Sequence, residues 1–128
     1  RDLGTASRMG LARYVSTPGR IEEEHLPGLV RLAAVVPVLS RSEGFAFPVL
    51  EALASGTPVM VPPDSAQAEL AGDVGIEVDP DDPISVADGF ERALRERGTG
   101  RAKRLARAAQ FPWERAAASV AELWSSLA

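Results

Sequence analysis

The sequence predicts an α/β protein, a doubly wound parallel sheet followed by helices. Three features predict it. Ala33 to Leu39 is an apolar run of strand length and reads as a fully buried strand. Pro48 to Ser55 reads as a helix, opened by proline and stopped by Gly56-Thr57-Pro58. Val59-Met60-Val61 then starts another short strand directly after that stop. Strand, loop, helix, strand is one β-α-β unit, the crossover that a parallel sheet requires.

The remaining elements follow in chain order. Residues 1–11 show no clean period and read as the frayed end of an earlier helix. Ala12 to Ser16 reads as a short strand ended by Thr17-Pro18-Gly19. Glu22, Glu23 and Glu24 place acid at a helix start, and Leu26, Leu29, Val30 and Ala33 recur at helical spacing. After the central unit, Pro62-Pro63-Asp64 turns the chain, and Asp64 with Gln67 resembles a capping box on a short helix. Glu69 on that helix is either a surface charge or a group near a ligand. Gly75 to Val78 is a further strand. Asp82-Pro83 opens a helix by cap and first position, with Ala87, Phe90 and Leu94 along its inner face and Gly98 as its stop. Arg101 to Gln110 makes the next helix, with Ala102, Leu105, Ala106 and Ala109 inward and its arginines on a solvated face. Pro112 opens the last helix, which is expected to bury Trp113, Ala116, Ala117, Val120, Leu123 and Leu127.

The chain has 128 residues, enough for one domain over 1–128, and no repeat or low-complexity segment divides it. Its 45 % apolar and 25 % charged residues are ordinary for a globular protein. A net charge of −4 argues against a general grip on nucleic acid. The absence of cysteine excludes a disulfide framework and thiol chemistry, and the single histidine, His25, cannot anchor a multi-histidine metal site. No run approaches the ~20 apolar residues of a membrane helix, and no signal-peptide core is visible, so a cytoplasmic protein is expected.

The loop and helix from Glu43 to Glu51 carry the chemistry. Pro48 suits the first helical position, which leaves the amides of Val49, Leu50 and Glu51 free to meet an anion. Phosphate is a natural ligand there, and Gly44 lets the backbone approach it closely. Glu51, on the first turn, can accept hydrogen bonds from both vicinal hydroxyls of a ribose. Glu43, eight residues earlier, faces the other end of the same ligand. A nucleotide-sugar fits that order: ribose, diphosphate, sugar.

The run Glu43-Gly44-Phe45-Ala46-Phe47-Pro48-Val49-Leu50-Glu51, continued by Ala52 to Val59, resembles the E-x7-E signature of the retaining glycosyltransferases of family 4, which have the GT-B fold. The resemblance extends through Ser65 to Glu69, Ala71 to Gly75 and Val78 to Asp82, and back to Gly19-Arg20 and Leu26 to Ala34. It implies a Rossmann-like donor-binding lobe covering roughly residues 12–126. It implies that Glu51 holds the ribose and that Glu43 sits at the transferred sugar, as the catalytic group. The amides of Phe45, Ala46 and Phe47, next to Gly44, would bind the sugar, and those of Val49 and Leu50 the diphosphate. The family has glycine where Ala46 stands and a small aliphatic residue where Phe47 stands.

The same resemblance implies a UDP-, GDP- or ADP-sugar as donor, no cofactor and no metal, because amides and basic side chains can do what a cation would. A GT-B enzyme also needs an acceptor lobe and a basic donor-lobe segment, and the resemblance covers neither. The chain is therefore expected to be inactive alone, and the full-length protein to be cytoplasmic or peripheral to a membrane. Two readings of other classes stand beside the enzyme: a nucleotide-binding module without turnover, and a structural remnant with solvated glutamates.

Overall fold

The structure is a computed structural model that describes residues 3–127; Arg1 and Asp2 of the first segment, and Ala128, lie outside it. Helix α1 (Leu3–Arg8) leads to a 3-10 turn at Ala12–Tyr14. The strand expected at 12–16 does not form. The Tyr14 and Val15 amides donate to the Leu11 and Ala12 carbonyls, a local closure that withdraws them from any ladder, and both side chains are exposed. Helix α2 (Leu26–Leu32) begins after the three glutamates rather than on them, and they and His25 are exposed.

Strand β1 (Val36–Pro37) is shorter than the apolar run that predicts it, and only Val38 of that run is buried. Its position explains this. The Val36 and Val38 amides donate to the Pro58 and Met60 carbonyls, while Pro37, which has no N–H, faces the open edge. Helix α3 (Phe47–Ser55) crosses to β2 (Val59–Val61), and α4 (Ala66–Ala71) crosses to β3 (Gly75–Glu77) through a 3-10 turn at Gly72–Val74. The three strands pair in parallel in the order β1-β2-β3, with Val59 opposite Val36 and Gly75.

Side chains alternate across β2, and so do its cores. Val59 and Val61 pack with Val49, Ala52, Leu53, Leu70 and Ala71, the layer of α3 and α4. Met60 turns to the other face and packs with Ile76, Val78 and Ala93. Ala93 belongs to α5 (Pro83–Glu96), so helices cover both faces of the sheet and the predicted doubly wound α/β fold is present. Among the described residues no helix is long and apolar enough to cross a membrane.

Helix α5 opens as expected, with the Asp82 side chain accepting from the Ile84 amide at 2.9 Å. Its inner stripe, however, is Val86, Gly89 and Ala93, one residue round from the predicted Ala87, Phe90 and Leu94, which are exposed. Gly89 sets this rotation: a Cβ there would stand 2.4 Å from Val78 Cγ1, so the helix seats its glycine on the sheet. Helix α4 is capped by Ser65, which accepts from the Ala68 amide, and not by Asp64, whose backbone is left-handed. Gln67 therefore plays no part in a capping box.

Helix α6 (Arg101–Ala108) reverses its predicted orientation. Ala102, Leu105, Ala106 and Ala109 face solvent, and the arginine row faces the protein. Arg104, 2 % exposed, donates through Nε to the Gly56 carbonyl at 2.9 Å and through Nη2 to the Thr99 carbonyl at 2.7 Å. Arg101 reaches the Ser55 carbonyl at 2.7 Å, and Arg107 reaches Leu70 at 2.9 Å and Glu69 at 2.6 Å. These acceptors are the C-terminal ends of α3 and α4 and the turn after α5. Free carbonyls and negative dipole ends favour cations there. Burial lowers the Arg104 pKa below the usual guanidinium value, with Glu96 opposing and Arg101 adding to the shift. Helix α7 (Trp113–Leu127) buries none of its residues, contrary to expectation; Trp113, Val120, Leu123 and Leu127 are all exposed among the described residues.

Replacing Arg104 by leucine strands several carbonyls at once, each bond to a charged donor contributing about 1.5–3 kcal/mol. Arg104→Leu is expected to cost about 3 kcal/mol, read as a lowered urea midpoint at unchanged slope.

Candidate functional site

The loop from Ser40 to Phe45 leaves the end of β1 and enters α3 through Ala46. Ala46 is 4 % exposed and its backbone is left-handed, φ 61° and ψ 57°. Glycine tolerates that conformation freely, whereas an L-residue with a Cβ is disfavoured by roughly 1–2 kcal/mol. The geometry thus accounts for the glycine found at this place in the pattern that the sequence resembles.

The helix begins at Phe47, so Pro48 is its second residue and not its first. Proline remains compatible with the first turn because amides there lack intrahelical partners. Of the amides expected to be free, that of Val49 is not. The Val49 amide donates to the Ala46 carbonyl at 2.9 Å, and the Val49 side chain is fully buried. Glu51, fifth in the helix, has its amide within the regular ladder. By contrast, the amides of Phe45, Ala46 and Phe47 have no backbone acceptor among the described residues.

A cleft of about 830 Å³ lies beside this helix start. Phe47, Leu50, Glu51 and Ala54, spaced for one helical face, form one wall, with Phe45 at its end. Phe111, Trp113 and Arg115, at the junction of α6 and α7, face them. The Phe45 and Phe47 rings stand 5.0 Å apart at 56°, and Phe47 and Trp113 6.0 Å apart at 24°, so the aromatic rings form a continuous row.

Of the residues singled out by sequence, the structure gathers Phe45, Phe47, Leu50 and Glu51 around the cleft. Glu51 is exposed and turned away from the core. Glu43 and Gly44 are exposed in the loop outside the cleft walls, and Glu43 Oε1 accepts from Ser40 Oγ at 2.5 Å. Glu69 is exposed and does not line the cleft. The facing wall escaped the sequence reading because Trp113 was assigned to a buried stripe. Among the described residues no group of three histidine, cysteine, aspartate or glutamate side chains could hold a metal ion.

Residues 1–96 match the family model described as glycosyl transferases group 1. The chain is 34 % identical over 111 residues to an O-antigen chain mannosyltransferase B of Escherichia coli, covering 84 % of this chain and 28 % of that protein. It is 33 % identical over 125 residues to a D-inositol 3-phosphate glycosyltransferase of Corynebacterium diphtheriae, covering 94 % and 29 %. An MMP alpha-(1->4)-mannosyltransferase of Mycolicibacterium hassiacum is 35 % identical over 69 residues, covering 54 % and 17 %. The chain thus spans less than a third of the length of the curated relatives it matches. No solved structure matches it.

At Ala46 two effects oppose each other. Glycine relieves the left-handed strain but loses a buried methyl of about 0.8 kcal/mol and restores chain entropy to the unfolded state. Ala46→Gly is therefore expected to stay within about 1 kcal/mol of the parent. Ala46→Val, β-branched on a left-handed backbone, should lose at least ~2 kcal/mol. Urea unfolding of the pair checks both.

Proposed function

The chain belongs to the glycosyl transferases of group 1, and from that premise we propose that it is the donor-binding part of a retaining family 4 enzyme. The complete protein would move a sugar from a nucleoside diphosphate to an acceptor, with retention at the anomeric carbon. The observation that carries this reading is the pairing of Glu51 with unpartnered amides at one helix start, beside an open cleft walled by aromatic rings.

In this reading each group has a separate task. The Glu51 carboxylate accepts hydrogen bonds from the two ribose hydroxyls. The amides of Phe45, Ala46 and Phe47 meet the sugar and its junction with the diphosphate, and the first turn of α3, with the Leu50 amide and the helix dipole, holds the diphosphate oxygens. The near-parallel rings of Phe47 and Trp113, with Phe45 tilted at their end, offer an apolar surface to the base. Arg115, in the opposite wall, supplies a cation within the cleft. Glu43, outside the walls, meets the sugar that leaves the diphosphate.

Transfer breaks the bond between the anomeric carbon and the diphosphate oxygen, and negative charge grows on that oxygen. Fixed amides aimed at the diphosphate stabilise the transition state more than the ground state, which is the condition for a gain in rate. The acceptor hydroxyl loses its proton to the departing phosphate as the new bond forms. Mannose is a sugar that two of the relatives' names specify, which makes GDP-mannose the first donor to try.

Titration of UDP, GDP and ADP into the chain tests the site. Glu51→Ala is expected to weaken the bound nucleotide roughly 30-fold, about 2 kcal/mol, through loss of both ribose bonds. An unchanged dissociation constant removes the ribose assignment. Glu43→Gln should leave nucleotide affinity intact and depress sugar transfer by the complete protein; undiminished turnover assigns Glu43 no part in the chemistry.

A further inference from the structure

Gln67 is a neutral side chain that the proposed reaction does not use, yet it is 1 % exposed. It lies on α4, 27 residues beyond the loop that it touches. Its Nε2 donates to the Ser40 carbonyl at 2.8 Å and to Ser40 Oγ at 3.1 Å. Both hydrogens of the amide are thereby directed at one residue. A hydroxyl has a single hydrogen, and Ser40 Oγ, already an acceptor from Gln67, donates that hydrogen to Glu43 Oε1 at 2.5 Å. Every donor in the chain therefore points the same way: amide to hydroxyl, hydroxyl to carboxylate.

We propose that Gln67 and Ser40 are positioning residues that fix the Glu43 carboxylate at the sugar end of the site. The inference rests on the reading that Glu43 meets the sugar of a nucleotide-sugar. Glu43 is exposed, and a free glutamate side chain in water samples several rotamers. A directed bond from a half-buried hydroxyl selects among them, and a buried amide fixes that hydroxyl in turn. Packing alone does not explain the arrangement, because burying an amide costs free energy unless its hydrogens are satisfied, and an apolar residue would fill the space without that demand. The support is independent of α3. Gln67 is anchored by the helix after β2 and Ser40 by the end of β1, so the site carboxylate is held from the sheet side, while Glu51 is held by its own helix.

The test compares Ser40→Ala, Ser40→Thr and Gln67→Met with the parent chain. GDP-mannose and UDP-glucose are titrated against GDP and UDP, and the rotamer-dependent NMR couplings of Glu43 are measured without ligand. In the parent, the sugar-bearing nucleotide is expected to bind at least threefold more tightly than the bare one. Ser40→Ala and Gln67→Met should erase that difference, leave affinity for bare nucleotide unchanged and average the Glu43 couplings. Ser40→Thr, which keeps the hydroxyl, should retain the parent behaviour. Parent-like Glu43 couplings in both Ser40→Ala and Gln67→Met overturn the positioning roles. Couplings that average in those variants, in a chain whose parent never distinguishes the sugar, uphold the positioning and overturn instead the placement of the sugar at Glu43.

Discussion

Three helix ends converge on one row of guanidinium groups, and the layer that holds the site depends on that meeting. Where α3 stops, Gly56 adopts a left-handed backbone, φ 74°, and turns the chain back toward β2. The Thr57 amide closes on the Ala52 carbonyl, but the Ser55 and Gly56 carbonyls are left over. Arg101 and Arg104 satisfy them, and Arg107 does the same at the end of α4. Gly56 allows this approach, because a Cβ there would stand 2.3 Å from Arg101 Nη1. Helix α6 is thus fastened to its neighbours chiefly through polar bonds, and it buries arginine where other helices bury leucine.

The two ends of α3 consequently have opposite characters. Its C-terminal end is saturated with donors and closed. Its N-terminal end is preceded by amides without backbone acceptors and by a residue in a disfavoured conformation. Strain and unmet hydrogen-bonding capacity gather at one end of a rigid rod whose other end is secured. Such a distribution suits a binding site, where donors must stay in place before a ligand arrives. Between the ends, Val49, Ala52 and Leu53 face the core while Leu50, Glu51 and Ala54 face the cleft, so the helix registers the site against the sheet.

The parallel sheet and its two crossovers were legible because their signals are local: apolar runs, Pro48, Gly56 and the Asp82-Pro83 cap. Glu51 was legible for the same reason, since its place is counted from a proline a few residues away. Other features needed contacts that no window contains. Hydropathy assigned the alanines of α6 inward, because the demand for cations arises only when distant helix ends meet. The α5 stripe was displaced by a single close approach at Gly89. The cleft's far wall comes from Trp113, whose apolar spacing along α7 resembles that of a buried helix although the helix is exposed. The Val49 amide was read as free, and its engagement was not legible because it arises where the left-handed Ala46 lets the first turn close on its own carbonyl.

The buried polar and charged side chains among the described residues are Ser55, Thr57, Gln67 and Arg104. None is a carboxylic acid or an imidazole. Acid therefore finds no carboxylate or imidazole to protonate among these buried groups, and the clasp that joins the helix ends is built from carbonyls and guanidinium groups alone. The carboxylates of Glu43 and Glu51 are exposed and lie outside this buried framework, so the layer that carries them holds together without drawing on their charge.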